Sequence, residues 1–275
     1  MKRTIIVTAI SLFLIACKKE SSGDTKQKET LLSEAYSDGL LALRFSYDAN
    51  NFVNKLESFN TDPADNSLSS YVVFQHHADG RIKQYTAYTM PGNVAGMKVT
   101  LEYDSSGKLT KSSVFDLQGI SPNSAQSTTA YTYNVKGKVI KMVEKKKNGE
   151  LILQTNLSYY EDGHLKETQL WHEQDKQLWL AGKTSYSSPN GYYPSGLEQL
   201  SILVGTDFIV NMYSETITFL KYSQAGVIMN HWNEQLSARE FNEDGTLKKQ
   251  ISTTKYIKPV LDDQDYVIEY KYLKQ

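Results

Sequence analysis

One short pattern recurs along the chain and restricts it to folds built from hairpins. Two aromatic or apolar residues separated by a polar one are followed by Asp or Asn, two variable residues, Gly, one variable residue and an aliphatic residue. The clearest copy spans residues 101–111, and residues 131–141 match it. Asp at the first turn position and Gly at the fourth are typical of a type I turn followed by a left-handed residue. Each copy therefore predicts the tip of an antiparallel hairpin.

The residue that replaces glycine in the first copy supports the turn interpretation. Asn51 stands there, and Asn shares with Gly a tolerance of the left-handed backbone region. Across such turns Tyr103 should lie opposite Leu109, and Tyr133 opposite Val139, as cross-strand pairs on one face. The positions equivalent to the glycine are 51, 80, 107, 137, 163, 226 and 245.

The spacing of the copies predicts one continuous sheet. The first five glycine-equivalent positions lie 26 to 30 residues apart, which suits two strands and two turns. Residues 186–191 are a plausible decayed copy in the long gap before Gly226, so about eight hairpins and some fifteen strands are expected. The fold class that follows is all-β: an antiparallel meander of repeated hairpins forming a curved or partly rolled sheet.

Two segments depart from the strand pattern and predict helices. Ser195 and Glu198 have capping-box spacing, and Gly205 can end the segment, so a short helix over 195–204 should cover one open end of the sheet. A second helical stretch is expected over residues 31–43, leading into the repeats.

The N-terminus has the pattern of an export signal. Lys2 and Arg3 precede an apolar run over residues 5–15, too short to span a bilayer as a helix. The run ends in Leu-Ile-Ala-Cys, which resembles the lipobox of bacterial lipoproteins. The resemblance implies transfer of a diacylglyceryl group to the sulfur of Cys17, cleavage before it and acylation, such as with palmitate, of the new amine.

This leader divides the chain into three parts. Residues 1–16 form the signal peptide, residues 17–30 the lipidated cysteine and a polar flexible stalk, and residues 31–275 a single β-repeat domain. Several acyl chains make such an anchor effectively permanent. Residues 18–20, Lys-Lys-Glu, resemble the export signal of Bacteroidetes surface lipoproteins. We therefore expect the protein at the outer membrane or cell surface, with the membrane as one partner.

The repeats themselves resemble those of the YD-repeat (RHS-like) proteins, especially the short YD-repeat lipoproteins of the Bacteroidetes. Tyr47-Asp48, Tyr103-Asp104 and the Asp/Asn-x-x-Gly-x-aliphatic turns carry the likeness, which covers roughly residues 43–250. Large members of that family wind into a hollow shell that encloses a polypeptide. This chain has too few copies for a full shell, so encapsulation is not expected.

Aromatic side chains outside the turns are the candidates for a ligand platform. Trp171, Trp179 and Trp232 could stack on the apolar faces of sugars, and equal strand parity places Trp171 and Trp232 on equivalent faces. Tyr192 and Tyr193 could extend that surface. Packing in the core is the more common fate of tryptophan and remains the alternative.

The ionisable residues show no catalytic or metal-binding pattern. His172 and His231 share parity and have Glu173 and Glu234 nearby, yet no HExxH spacing occurs. Cys17 is the single cysteine, which leaves no disulfide framework. The formal net charge of −1 gives no electrostatic footprint for nucleic acid. No cofactor, no metal and no nucleic-acid partner are expected.

These observations favour a non-enzymatic module over an enzyme. The first hypothesis is a tethered envelope lipoprotein that binds or scaffolds a glycan, peptide or protein partner on a broad sheet. The alternative is a carrier that shelters a lipid or other apolar ligand inside a partly closed sheet. A third, a hydrolase, would need a cleft that brings His172 or His231 together with carboxylates.

Overall fold

The fold was obtained as a computed structural model. The structure describes residues 31–161, 165–173, 177–185, 216–222, 228–243, 246–256 and 264–273. Within these ranges every regular element is a β-strand, sixteen in all. In chain order they are β1 Leu31–Ser37, β2 Leu40–Tyr47, β3 Val53–Phe59, β4 Leu68–His76, β5 Ile82–Thr89, β6 Val94–Tyr103, β7 Leu109–Asp116, β8 Ser127–Tyr133, β9 Val139–Lys146, β10 Leu151–Tyr159, β11 Leu165–His172, β12 Gln177–Ser185, β13 Thr216–Tyr222, β14 Ile228–Phe241, β15 Leu247–Tyr256 and β16 Gln264–Leu273.

Consecutive strands pair antiparallel along the whole meander, and the sheet closes on itself. β1 pairs with β2 on one side and with β16 on the other, with Leu31 opposite Leu273 and Ala35 opposite Tyr270. The predicted all-β meander is therefore confirmed, and the sheet is fully closed. Closure gives every described strand two neighbours, which leaves no unpaired edge strand in the described sheet.

The expected helix over residues 31–43 is wrong. Leu31–Ser37 and Leu40–Tyr47 are the strands β1 and β2, joined by a tight turn at Asp38 and Gly39. Leu, Ala and Glu favour helices, but pairing with β16 overrides that weak local preference. The helix expected over 195–204 lies outside the described residues.

Four turns at one end of the sheet share the predicted geometry. In the turn at 104–108, the amide of Asp104 bonds to the carbonyl of Lys108, and the amide of Gly107 bonds to the carbonyl of Asp104 at 3.0 Å. Asp104 Oδ1 also accepts from the amides of Ser106 and Lys108. The turns at 48–52, 77–81 and 134–138 repeat the backbone pattern. We call this end of the sheet the repeat edge.

The left-handed corners fall where the sequence predicted them. Asn51 has a φ of 64°, and Gly107 and Gly137 have φ of 83° and 77°. The predicted cross-strand pairs, Tyr103 with Leu109 and Tyr133 with Val139, are confirmed. The corners predicted at 163, 226 and 245 lie outside the described residues.

A ladder of tyrosines links neighbouring hairpins at the repeat edge. Tyr103 Oη donates to the carbonyl of Ile82 at 2.8 Å, and Tyr133 Oη donates to that of Leu109 at 2.7 Å. Each tyrosine ends one strand, and each acceptor begins the preceding strand. Burial raises the pKa of Tyr103 and Tyr133, which keeps both phenols protonated as donors. The same bond joins Tyr47 to Leu32, Tyr159 to Val139 and Tyr272 to Leu247.

The residue after three of the left-handed corners forms a second link between hairpins. Arg81 lies over the ring of Tyr103 at 4.8 Å, and Lys108 lies over the ring of Tyr133 at 5.6 Å. In the first copy Phe52 stacks on His76, which takes the place of the tyrosine, with ring centroids 5.4 Å apart. The repeat therefore specifies contacts between units as well as the turn within each unit.

On the inner face of the closed sheet, side chains of the described residues pack against one another. Aliphatic and aromatic residues from many strands form a single packed cluster, with Leu109 and Val139 almost fully buried. Tight packing of alternate residues on one face is what makes the strand register unique. The buried members are Leu32, Ala35, Phe45, Val53, Leu56, Phe74, Ile82, Tyr85, Val99, Leu101, Leu109, Val139, Met142, Leu157, Leu247 and Tyr270.

The other end, which we call the opposite edge, carries connections of different lengths at 38–39, 60–67, 90–93, 117–126 and 147–150. The turn at 146–150 has the repeat geometry with Lys146 in the place of Asp, and the sequence pattern missed it. The predicted copy at 226 falls between β13 and β14 in the chain, outside the described residues.

Candidate functional site on the outer face

The outer face near the opposite edge carries half-buried aromatic rings, each with a cation against it. Lys55 Nζ lies 4.6 Å from the ring centroid of Tyr71, and Lys98 Nζ lies 4.6 Å from that of Phe115. Such contacts are worth about 0.5 to 1 kcal/mol each at exposed sites. Arg44 over Phe59 and Lys271 over Tyr36 are further examples.

Three of these side chains form one stack across neighbouring strands. Tyr71 on β4 pairs with Tyr88 on β5, and their rings are stacked with centroids 4.6 Å apart and an angle of 8° between the planes. Lys55 on β3 covers the other face of Tyr71. The layers follow the spacing between strands, about 4.8 Å. The stack therefore runs across the sheet from β3 to β5.

The stack ends at β6 because that strand has only small residues beside Tyr88. Tyr88 pairs with Ala95, and a bulge adds Gly96 between Ala95 and Met97. A Cβ atom placed on Gly96 would meet the amide nitrogen of Gln118 at 3.6 Å and no other atom as near.

The charges around this surface are not equally neutralised. Glu57 pairs with Lys55 at 2.6 Å and with Arg44 at 3.8 Å. Hydrogen bonding from Tyr36, with smaller contributions from Arg44 and Lys271, lowers the pKa of Glu34. Among the described residues, no carboxylate forms a salt bridge with Lys98, whose ammonium lies over the Phe115 ring.

A smaller group of polar side chains lies on the inner face. Ser112 and Tyr131 share a hydrogen bond of 3.0 Å, and Ser127 Oγ donates to Glu144 Oε1 at 2.7 Å. Burial raises the pKa of Tyr131 to about 12. These groups satisfy one another inside the packed cluster, so we interpret them as structural.

The tryptophans predicted as a platform fall on three strands. Trp171 lies in β11 and its Nε1 donates to Glu173 at 3.0 Å. Trp179 lies in β12 and Trp232 in β14, each as the extra residue of a bulge. Strict alternation, on which the argument from parity depended, is interrupted at such bulges. Tyr192, Tyr193 and Cys17 lie outside the described residues.

The sequence interpretation missed Tyr71 and Tyr88. Tyrosine was treated as a repeat residue, yet these two stand outside the turn motif and alternate with the inward-facing Val72 and Ala87. Of the histidines weighed for catalysis, His172 lies in β11 and His231 in β14, three strands apart. The described residues contain no group of three or more His, Cys, Asp or Glu side chains able to hold a metal ion.

Comparisons with known proteins show that this chain is similar to other proteins in its fold alone. No protein family matches the sequence, and no curated protein matches it. A porin-like protein from Bacteroides uniformis superposes with a TM-score of 0.54 at 11% identity, over 84% of this chain and 89% of that chain. The resemblance to YD-repeat proteins therefore depends on the motif residues.

Two further structures overlap more loosely. A porin-like protein from Bacteroides vulgatus gives a TM-score of 0.41 at 10% identity, over 90% of this chain and all of that one. The Photorhabdus luminescens Tc holotoxin pore gives 0.32 at 11% identity, over 78% of this chain and 12% of that one. In the described part of this chain, no helix is long and apolar enough to cross a membrane.

Proposed function

We propose that this chain is a lipid-anchored envelope protein of the outer membrane or cell surface that binds a glycan, peptide or protein partner without catalysing a reaction. The position of the chain ends in the fold carries the proposal. Leu31 pairs with Leu273, so the first residue of β1 and the last residue of β16 both lie at the repeat edge. A stalk leading to Cys17 would join the domain at the repeat edge, which would leave the opposite edge free to point away from the membrane.

The reach of the stalk makes this arrangement practicable. Thirteen residues, 18–30, span at most about 45 Å when fully extended. The opposite edge would then face the surroundings, and it carries the connections of unequal length. Binding residues are commonly placed on such variable connections, held by a rigid scaffold.

The outer face suits contact with water and with a polar partner. Lys111 pairs with Glu102 at 2.9 Å, and Arg44 pairs with Glu34 at 3.3 Å, both on strands of the outer face. A Lys or Arg on a face buried in lipid would cost about 2 to 4 kcal/mol near the bilayer centre, and an acidic side chain less. Aromatic rings beside these charges provide the mixed surface that protein and glycan partners contact.

The carrier alternative draws less support from the fold. A carrier needs an unfilled apolar interior, whereas Leu109, Val139 and Met142 are at most 1% exposed and pack within one cluster. The porin-like description of the Bacteroides uniformis relative agrees with a place in the envelope. Among the described residues, no group of histidine and carboxylate side chains supports a hydrolase.

The anchor is tested by labelling cells with a palmitate analogue and comparing the chain with its Cys17→Ala variant. We expect label and membrane fractionation for the natural chain and neither for the variant. Protease treatment of intact cells then distinguishes display on the surface from attachment inside the envelope. Soluble, unlabelled natural chain would overturn the anchor.

The binding role is tested by capture from the envelope fraction with the full mature chain. We expect a partner to be retained by the natural chain and to be displaced when the outer face carries Tyr71→Ala and Tyr88→Ala together. Retention of the same partner by both forms would place the binding surface elsewhere. No retained partner in any fraction would favour a purely structural role.

A further inference from the structure

We infer that the outer face of β8, β9 and β10 binds an acidic glycan, an inference that rests on the proposed binding function and names its ligand class. The charge of the chain is unevenly distributed. Residues 109–159 carry seven lysines and three acidic side chains, a net charge of +4. Residues 17–275 carry 28 basic and 31 acidic side chains, so the remainder has a net charge of −7. A nearly neutral total therefore conceals one basic region.

The lysines of β9 lie on the outer face of the sheet. Met142 is buried within the inner cluster, so alternation along the strand turns Lys141 and Lys145 outward. These two lysines are four residues apart, which is about 13 Å along a strand. Lys147, in the turn that follows, is exposed as well. We call Lys141, Lys145 and Lys147 the lysine strip.

The carboxylates of this region are engaged away from the lysine strip. Glu144 faces inward and accepts a hydrogen bond from an inner-face serine at 2.7 Å. Glu150 pairs with Lys146 at 3.1 Å, and Asp116 accepts a backbone amide within its own turn at 3.0 Å. Among the described residues, no carboxylate forms a salt bridge with a lysine of the strip. Positive charge that the chain does not neutralise attracts an anionic partner.

Neutral hydrogen-bonding groups flank the lysine strip on both sides. On β8, Thr128 and Thr132 stand opposite the two lysines of β9. On β10, Asn156 stands opposite Lys141, and Gln154 donates to Asn156 at 3.2 Å. Hydroxyl and amide groups can both donate to and accept from the hydroxyls of a sugar. Ammonium groups between such side chains suit a chain of sugars that carries carboxylate or sulfate groups.

The composition of this surface favours a glycan over a lipid surface. Proteins that lie on a membrane combine basic side chains with exposed apolar ones. Among the described residues, no large apolar side chain of β8, β9 or β10 is exposed. A bilayer would therefore gain charge attraction alone, whereas an acidic glycan gains hydrogen bonds as well. Two ammonium groups about 13 Å apart along the strand also require an oligomer, since a single sugar acid reaches only one of them.

The experiment measures binding of hexamers to residues 17–275 carrying Cys17→Ala by calorimetry. The probes are galacturonate hexamer, heparin hexasaccharide and neutral maltohexaose. We expect at least one acidic hexamer to bind more tightly than maltohexaose, with an affinity that falls as salt is raised. Lys141→Gln with Lys145→Gln should weaken this binding about tenfold. The matched control, Lys83→Gln with Lys249→Gln, removes the same charge from β5 and β15 and should leave the affinity unchanged.

A second double variant distinguishes a glycan from other polyanions. Thr128→Val with Thr132→Val removes two hydroxyls and keeps side chains that favour strands. We expect it to weaken binding of the acidic hexamer about fivefold. Binding of polyglutamate, which has no hydroxyl groups, should not change. Thermal unfolding of every variant checks that the fold is retained.

The outcomes separate this inference from the proposed function. Acidic hexamers that bind equally well to the natural side chains and to the Lys141→Gln, Lys145→Gln variant would overturn the lysine strip and leave the binding module standing. Tighter binding of maltohexaose, of polyglutamate or of phosphatidylglycerol vesicles than of either acidic hexamer would overturn the ligand class. No binding of any hexamer by a chain that still retains an envelope partner would overturn the inference alone. Failure of both glycan binding and envelope capture would overturn the inference and the proposed function together.

Discussion

The two ends of the closed sheet differ in how their connections are built. At the repeat edge, the four described turns share one geometry, and each is tied to the next hairpin by a phenol hydrogen bond or by a side chain on a ring. At the opposite edge the connections range from a two-residue turn at 38–39 to the segment 117–126. Uniform, interlocked turns stabilise the sheet, whereas variable connections leave residues available for recognition.

The largest expected difference between the two edges is the loss of unfolding free energy when a glycine is replaced by alanine. Gly80→Ala would place a Cβ atom against the ring of Phe52 at a φ of 83°, so we expect a loss of about 2 to 5 kcal/mol in unfolding free energy. Gly149→Ala at the opposite edge meets no atom, and only its φ of 85° is strained, costing about 1 to 2 kcal/mol. Urea unfolding of both variants measures the difference.

A double variant sharpens this comparison. Phe52→Ala removes the ring that the new methyl group meets, so Phe52→Ala with Gly80→Ala should lose less than the sum of the two single changes. Gly107→Ala, whose Cβ would lie 3.3 Å from the flexible guanidinium of Arg81, should fall between the other two glycines. Equal losses at Gly80 and Gly149 would show that the repeat edge is not interlocked.

Tyr→Phe variants compare how much the phenol oxygens contribute to stability in the tyrosine ladder and in the stack on the outer face. Tyr103→Phe and Tyr133→Phe each lose a hydrogen bond to a strand carbonyl, so we expect about 1 kcal/mol less stability in each. Tyr88→Phe keeps its stacking and should change stability by less than about 0.5 kcal/mol. Thermal unfolding of the three variants under one buffer condition measures this order, and a reversed order would contradict the ladder.

The sequence predicted the repeat edge well because its turn chemistry is local. Asn51 replaces glycine and is left-handed, and Tyr103 faces Leu109, as the motif required. The turn ending in Gly149 was missed since its first residue is Lys146, which lacks the carboxylate or amide that marks the other copies. The motif could not reveal what its tyrosine does, because the carbonyl that accepts the phenol hydrogen bond belongs to the preceding strand.

The candidate site was harder to predict because it depends on pairing between strands. Tyr71 and Tyr88 stand 17 residues apart in the sequence, and only the register of β4 against β5 stacks them. Bulges likewise move Trp179 and Trp232 out of strict alternation, which counting residues from a turn cannot anticipate. The error over residues 31–43 has the same origin, since β16 supplies the partner from the far end of the chain.

The smallest expected effect concerns the copy in which His76 takes the place of the tyrosine. Burial lowers the pKa of His76, and the nearby charge of Asp48 opposes this only in part. The folded chain therefore binds a proton at His76 less readily than the unfolded chain does, so stability falls as the pH falls through about 6.5, the ordinary pKa of histidine. His76→Phe keeps the stack on Phe52, and its stability should fall less between pH 7.5 and 5.5 than that of the natural chain.

Residue-resolved amide hydrogen exchange on the full mature chain tests the contrast between the edges most directly. The account predicts slow exchange at the amides of Asp104 and Asn134, which bond across repeat-edge turns, and fast exchange over residues 118–125 at the opposite edge. Equal protection at both edges, or faster exchange at the repeat edge, would contradict the claim that one edge holds the sheet together while the other is free to bind.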